Sequence, residues 1–549
     1  MSFYVVRVTS LQLFRSTYLR ILAAKQHNIL IELKPERGDI FDRNMRCLAL
    51  DHNVYSVFAM PHLIEEADKE QVARKLAPVL GMGKGSVLER IKKDKYFVWV
   101  KRELDEKKKS EVEALNLDGI ELMKEYKRFY PNSGLACHVL GFAGLDDTGL
   151  EGVELAYDSY LKGTSGWRWT VRDAKRRDIL ADDKKFIPPS EGLHAVLTID
   201  EAIQHIAERE LDAAYRKYEA KGATIIIMDP YEGSILALAN RPAYDLNNFD
   251  SSSENQKRNR AVTDVYEPGS VYKIVTASTA LENKVVTLGK VFYCENGQYA
   301  VAGRILHDSA PHKDLTFREV IEKSSNIGTV KVAMLIDKNE LYRYSRLFGF
   351  GERTGIDIPG EINGILRPPS KWSKTTISCL PIGQEVGVTS VQLVSAIAAI
   401  ANGGYLVKPR IVREIINDEH DIIRSFPPVE VRRVISKESS DTMKDILYGA
   451  VEKGTGRNAI LEQYTTAGKT GTAQKVGPDG RYSHTQFVAS FAGFAPANDP
   501  KIAIIVMLDE PKKSYYGGTV AAPVFANVAR DVLRYLKVEP DKKKETTNL

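Results

Sequence analysis

Several common catalytic signatures are absent from this chain of 549 residues. It has no HExxH segment of a zinc protease and no GxSxG segment of an α/β-hydrolase. Its four cysteines form no CxxC pair and have no histidines near them at ligand spacing, so neither a zinc site nor a disulfide framework is indicated. We therefore predict an activity that needs no metal and no cofactor.

An excess of one charge is also missing. The chain has 77 Lys and Arg residues against 72 Asp and Glu residues, and its net charge of +5 does not indicate nucleic-acid binding. Arg7, Arg15 and Arg20 interrupt the apolar residues near the N-terminus, so no run of about 18 apolar residues could cross a membrane there. Residues 11–31 instead predict an amphipathic helix, and so abrupt a start favours a missing upstream segment.

The length and the 43% hydrophobic content predict two domains. Up to about residue 195, strand-like runs alternate with charged helices, with strands predicted at 54–59, 96–100 and 120–122 and helices at 65–80 and 102–115. A Pro-Pro-Ser-Glu-Gly break follows, and Asp200 is then the predicted N-cap of a helix. The predicted divisions are a helical segment at 1–34, a first module at 35–195, a second domain at 196–540 and a disordered tail at 541–549.

The second domain has strand patterns near both of its ends. Two apolar strands at 223–228 and 234–239 flank a hairpin turn, and two more are predicted at 487–494 and 502–508. A closing helix is predicted at 521–536. Because these strands bracket a helical middle, we predict an antiparallel sheet completed late in the chain with helices packed on it, an α+β fold.

Three short motifs carry the chemistry, and the first is Ser270-Val271-Tyr272-Lys273. A Pro-Gly pair before it and apolar residues after it predict that Ser270 begins a buried helix. Residues at i and i+3 share a helix face, which places the Lys273 amine beside the Ser270 oxygen. A desolvated lysine with a lowered pKa can take the proton of a serine nucleophile. Taken alone, however, the pattern is more often a capping serine followed by a surface lysine.

The second motif is Ser324-Ser325-Asn326, which we predict to join two helices and to direct Ser324 and Asn326 into a cleft. An ordinary N-cap cluster is its alternative explanation.

The third motif, Lys469-Thr470-Gly471-Thr472, is typical of a strand edge. Gly471 would remove a side chain where a substrate backbone lies alongside, and Lys469 with Thr470 could hold a terminal carboxylate. Gly468 before it suggests a phosphate-binding loop, but the glycine needed five residues earlier is Gln463, so a nucleotide site is not expected.

Together and in this order, the three motifs resemble those of the serine penicillin-recognising enzymes. The resemblance continues through Tyr-Glu-Pro-Gly before Ser270 and into the first module, which is similar to the non-catalytic module of class B penicillin-binding proteins. Other segments that carry it are Arg37–Asn44, Gly149–Glu154, Gly383–Glu385, Val388–Leu393, Lys475–Tyr482, Tyr515–Gly518 and Ala522–Phe525. Within class B, Lys475–Tyr482 and Tyr515–Gly518 are most similar to the septal transpeptidase.

This resemblance implies a penicillin-binding transpeptidase domain, similar to serine β-lactamases, behind a dimerisation (pedestal) module. It implies that Ser270 attacks the D-alanyl-D-alanine end of a peptidoglycan stem peptide and that an amine of a neighbouring stem resolves the acyl-enzyme. Penicillins and other β-lactams would acylate the same serine. The resemblance implies that Lys273 is the base, although the identity of the base is disputed in the family, and that Ser324 and Lys469 transfer protons. It further implies that Asn326 orients the substrate amide and that Thr470 and Lys469 bind the carboxylate. The backbone N–H groups of Ser270 and Thr472 would form the oxyanion hole.

The resemblance also implies partners and a location. No glycosyltransferase domain is evident, so a membrane glycosyltransferase and proteins of the division machinery are expected partners, with the catalytic domain on the outer face of the cell membrane. Two alternatives stay open: a D,D-carboxypeptidase or β-lactamase, in which water resolves the acyl-enzyme, and a non-enzymatic β-lactam sensor or division scaffold.

Overall fold

The computed structural model describes residues 28–95, 97–172, 178–179, 186–477 and 480–542. Within these residues, the first module contains nine strands and six helices. The strands are β1 Asn28–Leu33, β2 Ile40–Phe41, β3 Cys47–Ala59, β4 Val98–Leu104, β5 Ile120–Phe129, β6 Gly166–Arg172, β7 Asp178–Ile179, β8 Phe186–Ile187 and β9 His194–Leu197. The helices are α1 Lys69–Leu80, α2 Lys84–Ile91, α3 Glu106–Ala114, α4 Cys137–Leu140, α5 Gly152–Ala156 and α6 Asp158–Leu161.

Helices α1 to α3 pack on the sheet of β3, β4 and β5. Helix α1 is apolar at positions 72, 73, 76, 77 and 80, which follow one helical face, and these side chains bury against Val57 and Val100. Asp105 begins α3 by accepting a hydrogen bond from the backbone N–H of Lys108 (2.7 Å). This small core closes independently of the second domain.

Two predicted helices of this module differ from the structure. The helix predicted at 102–115 starts only at Glu106, because residues 98–104 alternate in burial and form β4 beside β3. The N-terminal helix predicted at 11–31, and with it the helical segment at 1–34, is wrong at its C-terminal end. Residues 28–33 form β1, which pairs antiparallel with β6, and residues 1–27 lie outside the described part of the chain.

The second domain contains thirteen strands and twelve helices within the described residues. The strands are β10 Gly222–Met228, β11 Ile235–Arg241, β12 Val291–Tyr293, β13 Gln298–Val301, β14 Arg304–His307, β15 Asp314–Thr316, β16 Tyr405–Val407, β17 Val412–Ile416, β18 Ile422–Ser425, β19 Glu430–Arg433, β20 Ala467–Val476, β21 Tyr482–Ala495 and β22 Ile502–Asp509. The helices are α7 Glu201–Lys217, α8 Glu254–Lys257, α9 Arg260–Thr263, α10 Lys273–Glu282, α11 Phe317–Glu322, α12 Asn326–Ala333, α13 Lys338–Leu347, α14 Thr376–Cys379, α15 Ser390–Ala401, α16 Lys437–Glu452, α17 Gly517–Val520 and α18 Ala522–Tyr535.

A five-stranded antiparallel sheet forms the centre of this domain, in the order β11-β10-β22-β21-β20. Both faces of β10 are buried: Ile225 and Ile227 pack with α7 and α18, while Ile226 and Met228 face the helical core that contains α15. The sheet therefore lies between two helical layers, which explains why its strands are continuously apolar in sequence. The predicted α+β class, the N-cap at Asp200, the β10–β11 hairpin and the closing helix are confirmed.

A second sheet connects the two parts of the chain. Strand β9 pairs parallel with β2 of the first module and antiparallel with β17 of the second domain. A side-chain hydrogen bond also crosses this junction, since the Tyr157 hydroxyl donates to Asp357 Oδ2 (2.8 Å). The predicted boundary at residue 195 thus falls inside a strand that both modules share.

The C-terminal end is held to the sheet domain for two residues beyond the predicted domain limit of 540. The Asp541 carboxylate accepts a hydrogen bond from the backbone N–H of Thr465 (2.7 Å), and Lys542 Nζ lies 2.7 Å from Glu452 Oε1. Residues 543–549 of the predicted disordered tail lie outside the described residues. Within the described ranges, no helix has both the length and the apolar character to span a bilayer.

Candidate active site

Ser270 lies on a tight turn that packs against the edge strand of the central sheet. Residues Gly269–Tyr272 form a 3₁₀ turn that continues directly into α10. Gly269 adopts a left-handed conformation (φ 52°), and a Cβ there would lie 3.1 Å from the carbonyl oxygen of Thr472. Ser270 is half-buried, so the predicted nucleophile sits at the start of a buried helix and beside the third motif.

Lys273 follows one turn later and is completely buried. Its Nζ lies 2.6 Å from the carbonyl oxygen of Ser324, 3.2 Å from Ser324 Oγ and 2.8 Å from Asn326 Oδ1. Burial lowers the pKa of Lys273 well below its usual range, and the nearby Lys469 lowers it further, while Asp308 opposes the shift. The structure therefore favours a neutral amine, which can accept a proton.

Ser324 connects the two buried lysines. It forms the corner between α11 and α12 and has a left-handed backbone conformation (φ 60°), which is uncommon for a residue with a side chain. Its Oγ lies 3.2 Å from Lys273 Nζ and 2.8 Å from Lys469 Nζ. We call Lys273, Ser324 and Lys469 the lysine–serine relay.

The hydrogen bonds of the relay have one donor-to-acceptor order when Lys273 is neutral. A neutral amine has two N–H groups and one lone pair, but Lys273 Nζ faces three oxygen atoms. Only the Ser324 hydroxyl among these three can donate, so it donates to Lys273 while it accepts from Lys469. The hydrogen bonds then run from Lys469 through Ser324 to Lys273.

Strand β20 carries the third motif along the outer edge of the five-stranded sheet, as predicted. Burial lowers the pKa of Lys469 to about 7, so a small change in its surroundings decides its charge at neutral pH. The Thr470 and Thr472 hydroxyls are hydrogen-bonded to the protein: Thr470 Oγ1 lies 2.7 Å from Thr455 Oγ1, and Thr472 Oγ1 accepts from the backbone N–H of Gly517 (3.0 Å).

The packing at Gly471 gives a different reason for this glycine than the sequence suggests. A Cβ on Gly471 would lie 2.4 Å from Ser490 Oγ and 2.8 Å from the carbonyl oxygen of Pro268. It would thus collide with the neighbouring strand β21 and with the turn that leads to Ser270. The glycine lets that turn approach the strand and does not simply leave room for a substrate backbone.

Comparison with known proteins identifies the family of this chain. Residues 223–530 match the penicillin binding protein transpeptidase domain, and residues 32–197 match the penicillin-binding protein dimerisation domain. This chain is a class B penicillin-binding protein. It is 37% identical over 544 residues to stage V sporulation protein D of Bacillus subtilis, covering 98% of this chain and 84% of that protein. It is also 33% identical over 518 residues to the peptidoglycan D,D-transpeptidase FtsI of Escherichia coli, covering 93% and 85% of the two chains.

Solved structures agree with the sequence comparison. The structure of penicillin binding protein 3 from Mycobacterium tuberculosis, complexed with aztreonam, matches 93% of this chain and 98% of its own with a TM-score of 0.73 and 28% identity. A peptidoglycan synthetase from Bifidobacterium adolescentis gives a TM-score of 0.76 at 26% identity, over 94% of this chain and 98% of that one. The predicted family, fold class and transpeptidase activity are confirmed at the level of the family.

The class B penicillin-binding protein has site residues that the sequence did not single out, and Asp308 is one of them. Its carboxylate accepts hydrogen bonds from Ser325 Oγ (2.6 Å) and from the backbone N–H groups of Asn326 (2.6 Å) and Ile327 (3.0 Å). The backbone carbonyl of the preceding residue, His307, accepts from Asn326 Nδ2 at 2.8 Å. Asp308 therefore fixes the start of α12 from a distant strand end, and no local sequence pattern marks it.

Thr455 is a second residue of this kind. Its hydroxyl is hydrogen-bonded to the hydroxyl of Thr470. Gly518 packs so closely against Thr455 that a Cβ on Gly518 would lie 2.7 Å from the carbonyl oxygen of Thr455. The Gly-Thr-Gly sequence at 454–456 is the only local signal of such close packing. Thr455 thus braces the strand that carries the predicted carboxylate anchor.

Proposed function

We propose that this class B penicillin-binding protein is a peptidoglycan D,D-transpeptidase that works through a Ser270 acyl-enzyme. The observation that supports it most is the lysine–serine relay, in which Ser324 contacts Lys273 at 3.2 Å and Lys469 at 2.8 Å and so joins side chains of three distant motifs. The relay provides a desolvated amine one helical turn from a half-buried serine at the edge of a sheet. This is the arrangement that a serine acyltransferase needs.

Acylation begins when the Ser324 hydroxyl turns away from Lys273 and the freed lone pair of Lys273 Nζ takes the proton of Ser270 Oγ. The oxygen then forms a bond to the carbonyl carbon of the penultimate D-alanine, and the carbonyl π electrons move to its oxygen. Backbone N–H groups of Ser270 and Thr472 would stabilise that oxyanion. As the intermediate collapses, the C–N bond to the terminal D-alanine breaks, and its nitrogen receives the proton through Lys273 or Ser324.

Transfer repeats these steps in reverse. An amine of a neighbouring stem peptide attacks the ester carbonyl carbon, loses its proton to the same base, and displaces Ser270 Oγ, which regains a proton. A new amide bond then joins two stems. A β-lactam follows only the first half, because opening of its ring leaves no departing amine and the acyl-enzyme persists.

The substrate carboxylate would bind at β20. Lys469, whose pKa is about 7, is shifted toward its protonated form by a bound carboxylate. Thr470 contributes its hydroxyl from the position next to Thr455, and Gly471 allows the nucleophile turn to come close. Asn326, now bonded to Lys273 and to the carbonyl oxygen of His307, would exchange the latter contact for the substrate amide.

A penicillin-labelling experiment tests this function. We expect a fluorescent penicillin to label the wild-type chain covalently, with the mass increment on Ser270, and to leave Ser270→Ala unlabelled. The exposed Ser251→Ala serves as a matched control and should label normally. Labelling of Ser270→Ala would refute the assigned nucleophile.

The fate of the acyl-enzyme separates a transpeptidase from a hydrolase. Wild-type protein should be acylated by a stem-peptide donor and then partitioned between water and an added amine acceptor. Formation of the cross-linked product should dominate at high acceptor concentration. If hydrolysis still dominates when the acceptor is saturating, the protein is a carboxypeptidase or a β-lactamase.

The cellular setting is also part of the proposal. The resemblance of residues 475–482 and 515–518 to the septal enzyme supports a role in division, together with a membrane glycosyltransferase and division proteins as partners. The catalytic domain would lie outside the cell membrane, and the chain would divide near residue 195 into a pedestal and a transpeptidase domain. Pull-down of a glycosyltransferase from solubilised membranes by the full chain, with resin that carries no chain as the control, tests the partner.

A further inference from the structure

Glu267 lies three residues before Ser270 and belongs to none of the three motifs. One of its carboxyl oxygens, Oε1, accepts hydrogen bonds from the backbone N–H of Glu385 (2.8 Å) and from the hydroxyl of Tyr482 (3.1 Å). Its other oxygen, Oε2, is buried and has no hydrogen-bond partner within the described part of the chain. A single carboxyl group thus joins the Ser270 turn to segments that lie 118 and 215 residues further along the chain.

Each of these segments borders the nucleophile. The backbone N–H of Gly269 donates to the carbonyl of Gly383 (3.1 Å), so the segment around Glu385 is hydrogen-bonded directly to the Ser270 turn. Tyr266 and Val388 exchange two further backbone hydrogen bonds. On the other side, Tyr482 begins β21 and pairs with Val476 at the end of β20, the strand that carries the third motif.

The charges around Glu267 make this contact sensitive to its protonation. The pKa of Glu267 is raised to about 7, mainly by burial and to a smaller extent by the Glu385 carboxylate, while the hydrogen bonds from Glu385 and Tyr482 oppose the rise. Behind Tyr482 lie Cys379 and Arg304, whose Sγ and Nη1 atoms are 2.7 Å apart. A carboxylate accepts hydrogen bonds more strongly than a neutral carboxylic acid, so the contact tightens as the pH rises through 7.

We propose that Glu267 is a positioning residue for the nucleophile, which fastens the Ser270 turn between the 383–388 segment and the β20–β21 hairpin through its single shared carboxyl oxygen. It acts on Ser270 through the backbone and does not touch the substrate. The inference rests on the proposed role of Ser270 as the nucleophile. Because small misplacements of a reacting group cost far more in rate than in binding, its loss should lower the acylation rate constant and leave the dissociation constant of the non-covalent complex almost unchanged.

Stopped-flow acylation of the full chain by a fluorescent penicillin separates these two constants. We expect Glu267→Ala to lower the acylation rate constant by about tenfold or more, within the roughly hundredfold range of misplaced catalytic groups, with the dissociation constant changed by less than about twofold. Glu267→Gln keeps an acceptor oxygen and should restore most of the rate, while losing the rise of the rate constant between pH 6 and 8. Tyr482→Phe removes one contact and should have a smaller effect.

Glu361→Ala is the matched control, since Glu361 is also a buried carboxylate in a loop. It accepts hydrogen bonds from the backbone N–H groups of Thr354 and Gly355 and from the Thr354 hydroxyl. Glu361→Ala should leave the acylation rate constant unchanged. The inference is overturned if Glu267→Ala acylates at the wild-type rate, if the control slows equally, or if only the dissociation constant changes. If Glu267→Ala does not fold, an unaltered pH profile in Glu267→Gln together with a wild-type rate in Tyr482→Phe overturns it. Absence of labelling in the wild type would instead refute the proposed function itself.

Discussion

Removal of Asp308 should weaken the start of α12 and, with it, the corner at Ser324, to which we assign a role in proton transfer. In Asp308→Ala, the Ser325 hydroxyl and the N–H groups of Asn326 and Ile327 lose their shared acceptor. A hydrogen bond to a charged group contributes about 1.5–3 kcal/mol when well shielded, and partial exposure reduces this to about 1 kcal/mol for each contact. The local stability of the helix start should therefore fall by about 3 kcal/mol, which corresponds to a roughly hundredfold increase in local opening.

Hydrogen exchange read by mass spectrometry measures this opening. Peptides that cover residues 324–333 should exchange roughly a hundred times faster in Asp308→Ala, and acylation by penicillin should slow because Ser324 and Asn326 lose their fixed positions. Asp337→Ala is the control, since Asp337 caps the next helix, α13, through the N–H of Asn339 (2.8 Å). It should loosen α13 only and leave acylation intact.

The isosteric change Asp308→Asn separates charge from hydrogen bonding. It keeps an acceptor at the helix start but removes the negative charge that raises the pKa of Lys273. The pKa of Lys273 should then fall further, so the amine stays neutral to lower pH and the acid limb of the acylation profile moves toward lower pH. If exchange in α12 is unchanged in Asp308→Ala, or if the acid limb moves toward higher pH in Asp308→Asn, the reasoning is refuted.

Three further changes test the cleft. Because the pKa of Lys469 is about 7 in the free protein, its positive charge is lost as the pH rises through 7. The dissociation constant for a carboxylate-bearing β-lactam should therefore increase above pH 7. Lys469→Met should abolish this pH dependence. Gly471→Ala brings a Cβ to 2.4 Å from Ser490 Oγ and should lower both the thermal stability and the acylation rate, whereas Gly289→Ala, which faces open space, should lower neither. Ser324→Ala breaks the link between the two lysines and should slow acylation by about 10²–10⁴-fold, the usual contribution of acid–base catalysis, in stopped-flow traces; an unchanged rate would exclude the relay.

The parts of the site that the sequence predicts are those that depend on local spacing. Ser270 and Lys273 lie three residues apart, and helical geometry alone places both on one face. The glycine before Ser270 and the polar corner between α11 and α12 are likewise local signals. The strands β10, β11, β21 and β22 can be predicted because each buried strand is a continuous apolar run in the sequence.

The remaining features depend on contacts between distant residues. Lys469 meets Ser324 across 145 positions of the chain, and no periodicity encodes that distance. The pairing of β17 with β9 links the two modules, but an edge pairing of this kind follows from the tertiary arrangement and has no composition of its own. Asp308 cannot be predicted for the same reason, since a carboxylate that caps a remote helix is indistinguishable in sequence from a surface residue.

Burial lowers the pKa values of the two lysines in the relay, but it also makes their charged forms unfavourable. The surrounding contacts stabilise the relay against this cost. Two amines without solvent cannot both carry a charge, so the fold keeps Lys273 neutral and leaves Lys469 near its titration point. Ser324 holds both amines from a left-handed backbone position that alone would cost about 1–3 kcal/mol. That position persists because Asp308 fixes the residues directly after it, and the Ser270 turn is fixed in the same way by its backbone contact with Gly383. The strained backbone at Ser324 therefore depends on Asp308: contacts from outside the corner hold Ser324 in place, because its own local conformation would not.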